Sequence, residues 1–306
     1  MTRGAPANVY RATAPSWRGP PGGTPLTTFT RGQITIEETE PLDLSSAMLL
    51  ECFPTIGLVS TIAASYLVTQ LQLSPKGSVA APWSAPLSVV LGGRPLPPIR
   101  LYGGEKVCGI DGNCDQLFVL MSEFPIPDFG IQPLSAAILD WAGERGCREV
   151  ASLEGLPRAG EGEGGDEEEE AHAHAQVPSG AAKVYGVGTT DRARNMLRRE
   201  GVEEMSSGVI TGISGVLMWM AEQRRVDAVC LLAEAFRQFP DARAAAGLVR
   251  IVDGMLKNIE VEIEPLMDQA EQLEKQIKKA VDAAVAAQQA RQPPPHTSYA
   301  SPSMYG

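Results

Sequence analysis

With 306 residues, 43% of them hydrophobic and 21% charged, the chain is long enough for one large domain or two ordinary ones and has the balance of a soluble globular protein. A formal net charge of −11 argues against a nucleic-acid binder, which presents a basic face. No segment reaches the roughly 18 to 20 uninterrupted apolar residues of a membrane span, and the start lacks the apolar core of a secretory signal, so a cytoplasmic location without membrane contact is expected.

Residues 1–32 are rich in Pro, Gly, Thr and Arg without periodicity and read as a disordered lead or an overextended start. A folded domain is expected over 33–258. Met48-Leu49-Leu50 reads as a strand leading through Phe53-Pro54 into a helix over Gly57 to Leu73, where Leu58, Ile62, Tyr66 and Leu67 recur near helical spacing. Short strands are expected at Val79 to Ala81, Leu87 to Leu91 and Ile99 to Tyr102, separated by Pro and Gly. Leu117 to Ser122 is a near-continuous apolar run, as in a strand covered on both faces. Pro133 to Arg145 reads as a helix with Pro in its first turn and Gly146 as its stop.

Glu149 to Leu153 resumes the sheet. Residues 158–180 consist of Gly, Glu and Ala with hardly an apolar anchor, and form an acidic insertion loop. Beyond it come a strand at Lys183 to Val187, a helix at Thr190 to Glu200, a strand at Val209-Ile210, a helix at Ser214 to Arg224, a buried strand at Ala228 to Ala233 and a helix at Asp241 to Leu256. Strands and helices alternating in this way imply βαβ crossovers, hence an α/β fold with a mainly parallel sheet covered on both faces.

A C-terminal helix is expected over 259–291. Leu266, Ala270, Leu273, Ile277, Ala280, Ala284 and Ala287 follow one another at four- and three-residue steps, a heptad stripe. The stripe serves either self-association or docking on its own domain, and its alanines make either contact shallow. Residues 292–306 form a flexible tail carrying Pro293-Pro294-Pro295 and ending in Met304-Tyr305-Gly306. Most disordered termini are inert, but this one presents an apolar side chain, a phenol and a terminal carboxylate in a row.

Catalytic motifs are incomplete. Gly212-Ile213-Ser214-Gly215-Val216 lacks the final Gly of a nucleophile elbow. The three histidines, His172, His174 and His296, lie in the insertion and the tail, so no ordered element offers a base to Ser214 or to Cys52, Cys147 or Cys230. Gly186-Val187-Gly188-Thr189-Thr190-Asp191 is placed like a phosphate cradle, but Asp191 would repel phosphate and suits a helix cap better. His172-Ala173-His174 beside Glu167 to Glu170 makes a poor metal site without a rigid surround. No metal, cofactor or catalytic residue is therefore assigned. Glu123, Glu154 and Glu234 each end an apolar strand run, where they mark a relic pocket or, as the favoured alternative, cap helices and pair with Arg100 and Arg243. Cys108 and Cys114 flank a turn that could bring them together, although reduced thiols are the commoner state in a cytosol.

Seven segments occur in one order: Phe53-Pro54-Thr55-Ile56-Gly57-Leu58-Val59, Ser122-Glu123-Phe124-Pro125, Ser152-Leu153-Glu154-Gly155, Tyr185-Gly186-Val187-Gly188-Thr189-Thr190, Ile210-Thr211-Gly212-Ile213-Ser214-Gly215, Leu232-Ala233-Glu234-Ala235 and Pro240-Asp241-Ala242-Arg243-Ala244-Ala245. In this the chain resembles the PAC2 family, which contains archaeal proteasome-assembly chaperone homologues, over about Leu44 to Leu273. Departures are Thr55, where Gly is common in the family, the acidic insertion and the low-complexity start. The resemblance implies a three-layer αβα sandwich of nucleoside-phosphorylase-like architecture, homo-oligomerisation and binding to proteasome α subunits, without a reaction.

The ending is similar to the docking tails of proteasome activators. By that likeness Met304 would fill an apolar rim, Tyr305 would pack and hydrogen-bond, and the Gly306 carboxylate would meet a partner lysine. The expected function is a non-enzymatic assembly chaperone holding α subunits or the α ring through several tails. Its rivals are an activator that opens the finished core particle and an enzyme handling nucleosides or small carboxylates at the strand ends.

Overall fold

The computed structural model describes residues 27–110, 112–158, 182–237, 239–268 and 270. The first half of the chain builds β1 (Thr27–Arg31), β2 (Ile34–Glu38), β3 (Ala47–Cys52), α1 (Val59–Gln70), β4 (Ser74–Ala80), β5 (Val89–Leu91), β6 (Arg94–Leu96), β7 (Arg100–Gly103), β8 (Val107–Cys108), β9 (Cys114–Met121) and α2 (Asp128–Glu144). The second half builds β10 (Glu149–Pro157), β11 (Val184–Gly188), α3 (Asp191–Arg199), β12 (Glu203–Glu204), α4 (Gly212–Arg224), β13 (Ala228–Ala235) and α5 (Ala242–Met255).

The apolar runs of the sequence became the centre of the molecule. β9, β3, β10 and β13 lie side by side and parallel, and every residue of β3 is buried. Because successive side chains point to opposite faces, Met48, Leu50 and Cys52 enter one core while Ala47 and Leu49 enter the other. The first core is closed by α1, α3 and α5 through Leu67, Leu197 and Leu248, the second by α2 and α4 through Ile138, Trp141 and Leu217. This is the expected three-layer sandwich.

Both flanks turn antiparallel. β7, β4, β2 and β1 extend the sheet beyond β9, β11 runs antiparallel to β13, and β12 pairs parallel with β11 at the far edge. A tight turn at Gly32, with φ of 59°, allows β1 and β2 no other orientation. In β2, Ile34 and Ile36 face α2, and its innermost anchor is Glu38, whose Oε1 accepts from Trp141 Nε1 at 2.6 Å and Arg145 Nε at 2.8 Å.

Several expectations need correction. The lead does not run to residue 32, since Thr27–Arg31 is a strand that buries Phe29 in the second core. Val209-Ile210 is not a strand: Val209 is 78% exposed in an irregular loop, and the sheet edge is supplied instead by β12. Pro133 lies inside α2 rather than in its first turn, because the helix starts at Asp128 after the extended Pro127. No described helix is long and apolar enough to cross a membrane.

Candidate functional site

The carboxyl ends of the parallel strands are the place where open α/β sheets bind ligands, and here they gather buried polar side chains. Glu51, next to last in β3, stands opposite Ser152 of β10. Ser152 stands in turn opposite Cys230 of β13, and Glu154 follows two residues on, where the strand period returns it to the same face. Ser214, in the first turn of α4, covers the group and donates from its hydroxyl to Glu51 Oε2 at 3.2 Å. Glu51 and Ser214 are 1% exposed and Glu154 is 9% exposed.

No basic side chain neutralises either carboxyl among the described residues. Burial pushes the Glu51 carboxyl up to about 7, against the nearby Ser152 and Ser214 hydroxyls, which favour its ionised form. Burial pushes Glu154 up to about 8, and the charge of Glu51 adds to the effect. The Ser152 hydroxyl is close enough to influence Glu51 yet has no partner in good hydrogen-bond geometry, and Glu51 Oε1 also lacks one. Both the Cys52 and Cys230 thiols are held neutral by burial and then by the nearby carboxyls.

Of the three carboxylates singled out in the sequence, only Glu154 belongs to this group. Glu123 pairs with Arg100, whose guanidinium also donates to the Tyr102 hydroxyl at 3.0 Å and to the Pro97 carbonyl at 3.1 Å. Glu234 accepts from the Tyr185 hydroxyl at 3.2 Å. Sequence patterning does not single out Glu51; its one signal is a carboxylate inside the run Met48-Leu49-Leu50-Glu51-Cys52.

Ser214 is too deeply buried to meet a substrate, and its hydroxyl serves Glu51. At the glycine-rich turn, Thr190 rather than Asp191 caps α3, its hydroxyl accepting from the Ala193 amide at 3.1 Å. A Cβ at Gly188 would lie 2.8 Å from the Arg194 amide nitrogen, so this turn is packed against its helix. No three or more His, Cys, Asp or Glu side chains converge as a metal site among the described residues.

Two cavities open elsewhere. One of about 390 Å³ lies beside Val79, Leu96, Arg100 and Tyr102, the other of about 570 Å³ beside Arg148, Arg192, Arg199 and Lys257, and neither is lined by Glu51 or Glu154. Cys108 and Cys114 are joined by a disulfide, where the sequence favoured free thiols, because the β8–β9 pairing sets them directly opposite each other.

Leu266 and Ala270, the first two positions of the heptad stripe, are 1% exposed and belong to the first core. Beside them Tyr66 of α1 donates to the Glu262 carbonyl. Leu273, Ile277, Ala280 and Ala284, the acidic run, the histidines and the ending Met304, Tyr305 and Gly306 all lie outside the described residues.

The profile of the PAC2 family matches residues 49–281, from β3 onward. Pyrococcus furiosus PbaA in its monoclinic crystal form, described as an archaeal homolog of proteasome-assembly chaperone, is 26% identical with a TM-score of 0.67, covering 85% of this chain and 96% of that one. P. furiosus PbaB, described as an archaeal proteasome activator, is 20% identical with a TM-score of 0.65 over 81% of this chain and 98% of that one, a likeness of fold. An uncharacterized protein of Methanocaldococcus jannaschii is 26% identical over 245 residues, 80% of this chain and 90% of its own length. With the profile taking in β3, β10 and β13, the paired carboxyls and the covered sheet between two helical layers, the chain belongs to the PAC2 family.

Proposed function

We propose that this protein is a non-enzymatic, cytoplasmic proteasome-assembly chaperone, a homo-oligomer that binds proteasome α subunits or the assembled α ring through its Met304-Tyr305-Gly306 endings. The observation that carries this proposal is the near full-length likeness to PbaA, 96% of which is covered. The ending supplies the chemistry: Tyr305 packs and hydrogen-bonds, and the terminal carboxylate makes a charge-assisted contact with a cationic groove. A tether of fifteen residues spans roughly 20 Å as a coil, or up to about 45 Å where prolines stiffen it. Several such tails on one oligomer raise one another's effective concentration, so weak single contacts add to useful avidity.

The test is capture of core-particle subunits from native lysate by intact protein, by protein lacking Met304–Gly306, and by protein amidated at the C-terminus. Loss of binding by about tenfold or more in both altered forms, with the oligomer unchanged, is expected from lost avidity. Equal capture by all three removes the tail from the mechanism. The same tail chemistry also suits a gate opener, a role supported by the fold shared with PbaB. Stimulated peptide hydrolysis by a finished core particle on adding the purified protein would move the assignment from assembly to activation.

A further inference from the structure

Tail docking leaves the Glu51 and Glu154 pair without a purpose, and the cost of keeping it is high. Two buried carboxyls lie on one face of the sheet, and each surrounding element supplies only neutral groups. β9 sets Leu120 opposite Glu51, β13 sets Cys230 opposite Ser152 and Leu232 opposite Glu154, and α4 contributes the Ser214 hydroxyl. Glu123 just beyond β9, Glu234 of β13 and Glu149 at the start of β10 are engaged by Arg100, Tyr185 and Arg148. Both Cys52 and Cys230 are uncharged.

A carboxylate that is ionised can only accept hydrogen bonds, whereas a carboxyl that keeps its proton is also a donor. Glu51 Oε1 receives no donor, and the Ser152 oxygen beside it is equally without a partner. An oxygen buried without a donor is the natural seat of a proton.

The cover over this pair is the weakest part of the surrounding wall. β3, β10 and β13 are held by ladder hydrogen bonds on both sides. α4 has no side-chain cap at Thr211, begins at Gly212 with φ of 65°, and follows an irregular loop from Ser206 to Thr211. Its first turn is tied to β3 by the Ser214 to Glu51 hydrogen bond. Directly before it, Val209 is exposed and Ile210 packs at the margin of the second core.

We propose that Glu51 and Glu154 form a proton-operated lock: while they keep their protons the first turn of α4 stays packed against β3, and on losing them to solvent they release the Ser206–Thr211 loop. Two ionised carboxylates repel strongly in a site of low dielectric, and the strain is relieved where the fewest hydrogen bonds oppose it. Water then reaches the pair, and Ile210 and Ile213 become accessible. The elevated protonation midpoints of both carboxyls place this transition near and above neutrality.

Hydrogen exchange of the full chain, expressed as protection factors at pH 6 and pH 9, tests the lock. In the wild type the segment Ser206–Met218 should lose about tenfold in protection while Cys114–Met121 keeps its own. Glu51→Gln and Glu154→Gln, neutral mimics of the protonated pair, should abolish most of that loss. A wild type with no loss, or variants with the same loss, overturns the proposal. The infrared carbonyl band of a protonated carboxylic acid decides the matter in wild-type protein should the variants fail to fold. Its presence at pH 6 and disappearance by pH 9, together with the loss of protection, supports the lock, and its absence at pH 6 refutes it.

Discussion

At Glu51 the cost of leaving water outweighs the hydrogen bonds that favour its charge, and the consequence for stability has a definite sign. Its folded midpoint of about 7 lies above the ordinary value of 4.5, so between these the folded state holds a proton that the unfolded chain has lost. Stability from this group is therefore fully present below the lower value and is lost as pH rises through 7, with Glu154 extending the fall towards 8. Urea unfolding from pH 5 to pH 8.5 should show the wild type losing on the order of 3 kcal/mol relative to Glu51→Gln. A constant difference between the two across that range contradicts the assignment. Thiol chemistry gives a second check at this scale: alkylation of the denatured, unreduced protein should label three cysteines, Cys52, Cys147 and Cys230, with Cys108 and Cys114 joining only after reduction.

The turn from β3 into α1 is tightly constrained. Gly57 has φ of 63°, a Cβ there would lie 2.9 Å from the Phe236 carbonyl oxygen, and its own carbonyl accepts from the Asp241 amide at 2.8 Å. This one residue joins the ends of β3 and β13 to the start of α5. Gly57→Ala combines backbone strain with a steric clash, and chemical denaturation should register a loss of about 3 kcal/mol. At the other end of the sheet, Glu38→Ala would leave Arg145 and Trp141 without their shared acceptor, a loss also of about 3 kcal/mol by the same measurement. Glycine, proline and apolar periodicity made most of these elements legible, down to the helix that Asp241 caps. Val209-Ile210 was misread because a two-residue apolar run carries no period, and β1 because Pro- and Gly-rich neighbours masked the alternation around Phe29.

For the molecule as a whole, burial of Leu266 and Ala270 makes the segment just after Pro265 part of the domain. Truncation after Asn258 should expose the α1 surface around Tyr66 and lower the thermal midpoint by several degrees, of the order that about 2 kcal/mol produces. Removing only Met304–Gly306 should leave the midpoint unchanged in the same scan, separating fold from docking. The layered α/β architecture and the family resemblance were determined by the sequence alone, because apolar period, turn residues and motif order are local properties of a chain. Which carboxylates meet was decided only by tertiary structure. Glu51 and Glu154 are 103 residues apart and become neighbours through the parallel register of β3 and β10, while Glu123 finds Arg100 by antiparallel pairing. The pairing of Cys108 with Cys114 and the packing of Leu266 were settled in the same way, since partner choice depends on register and burial that no local pattern encodes.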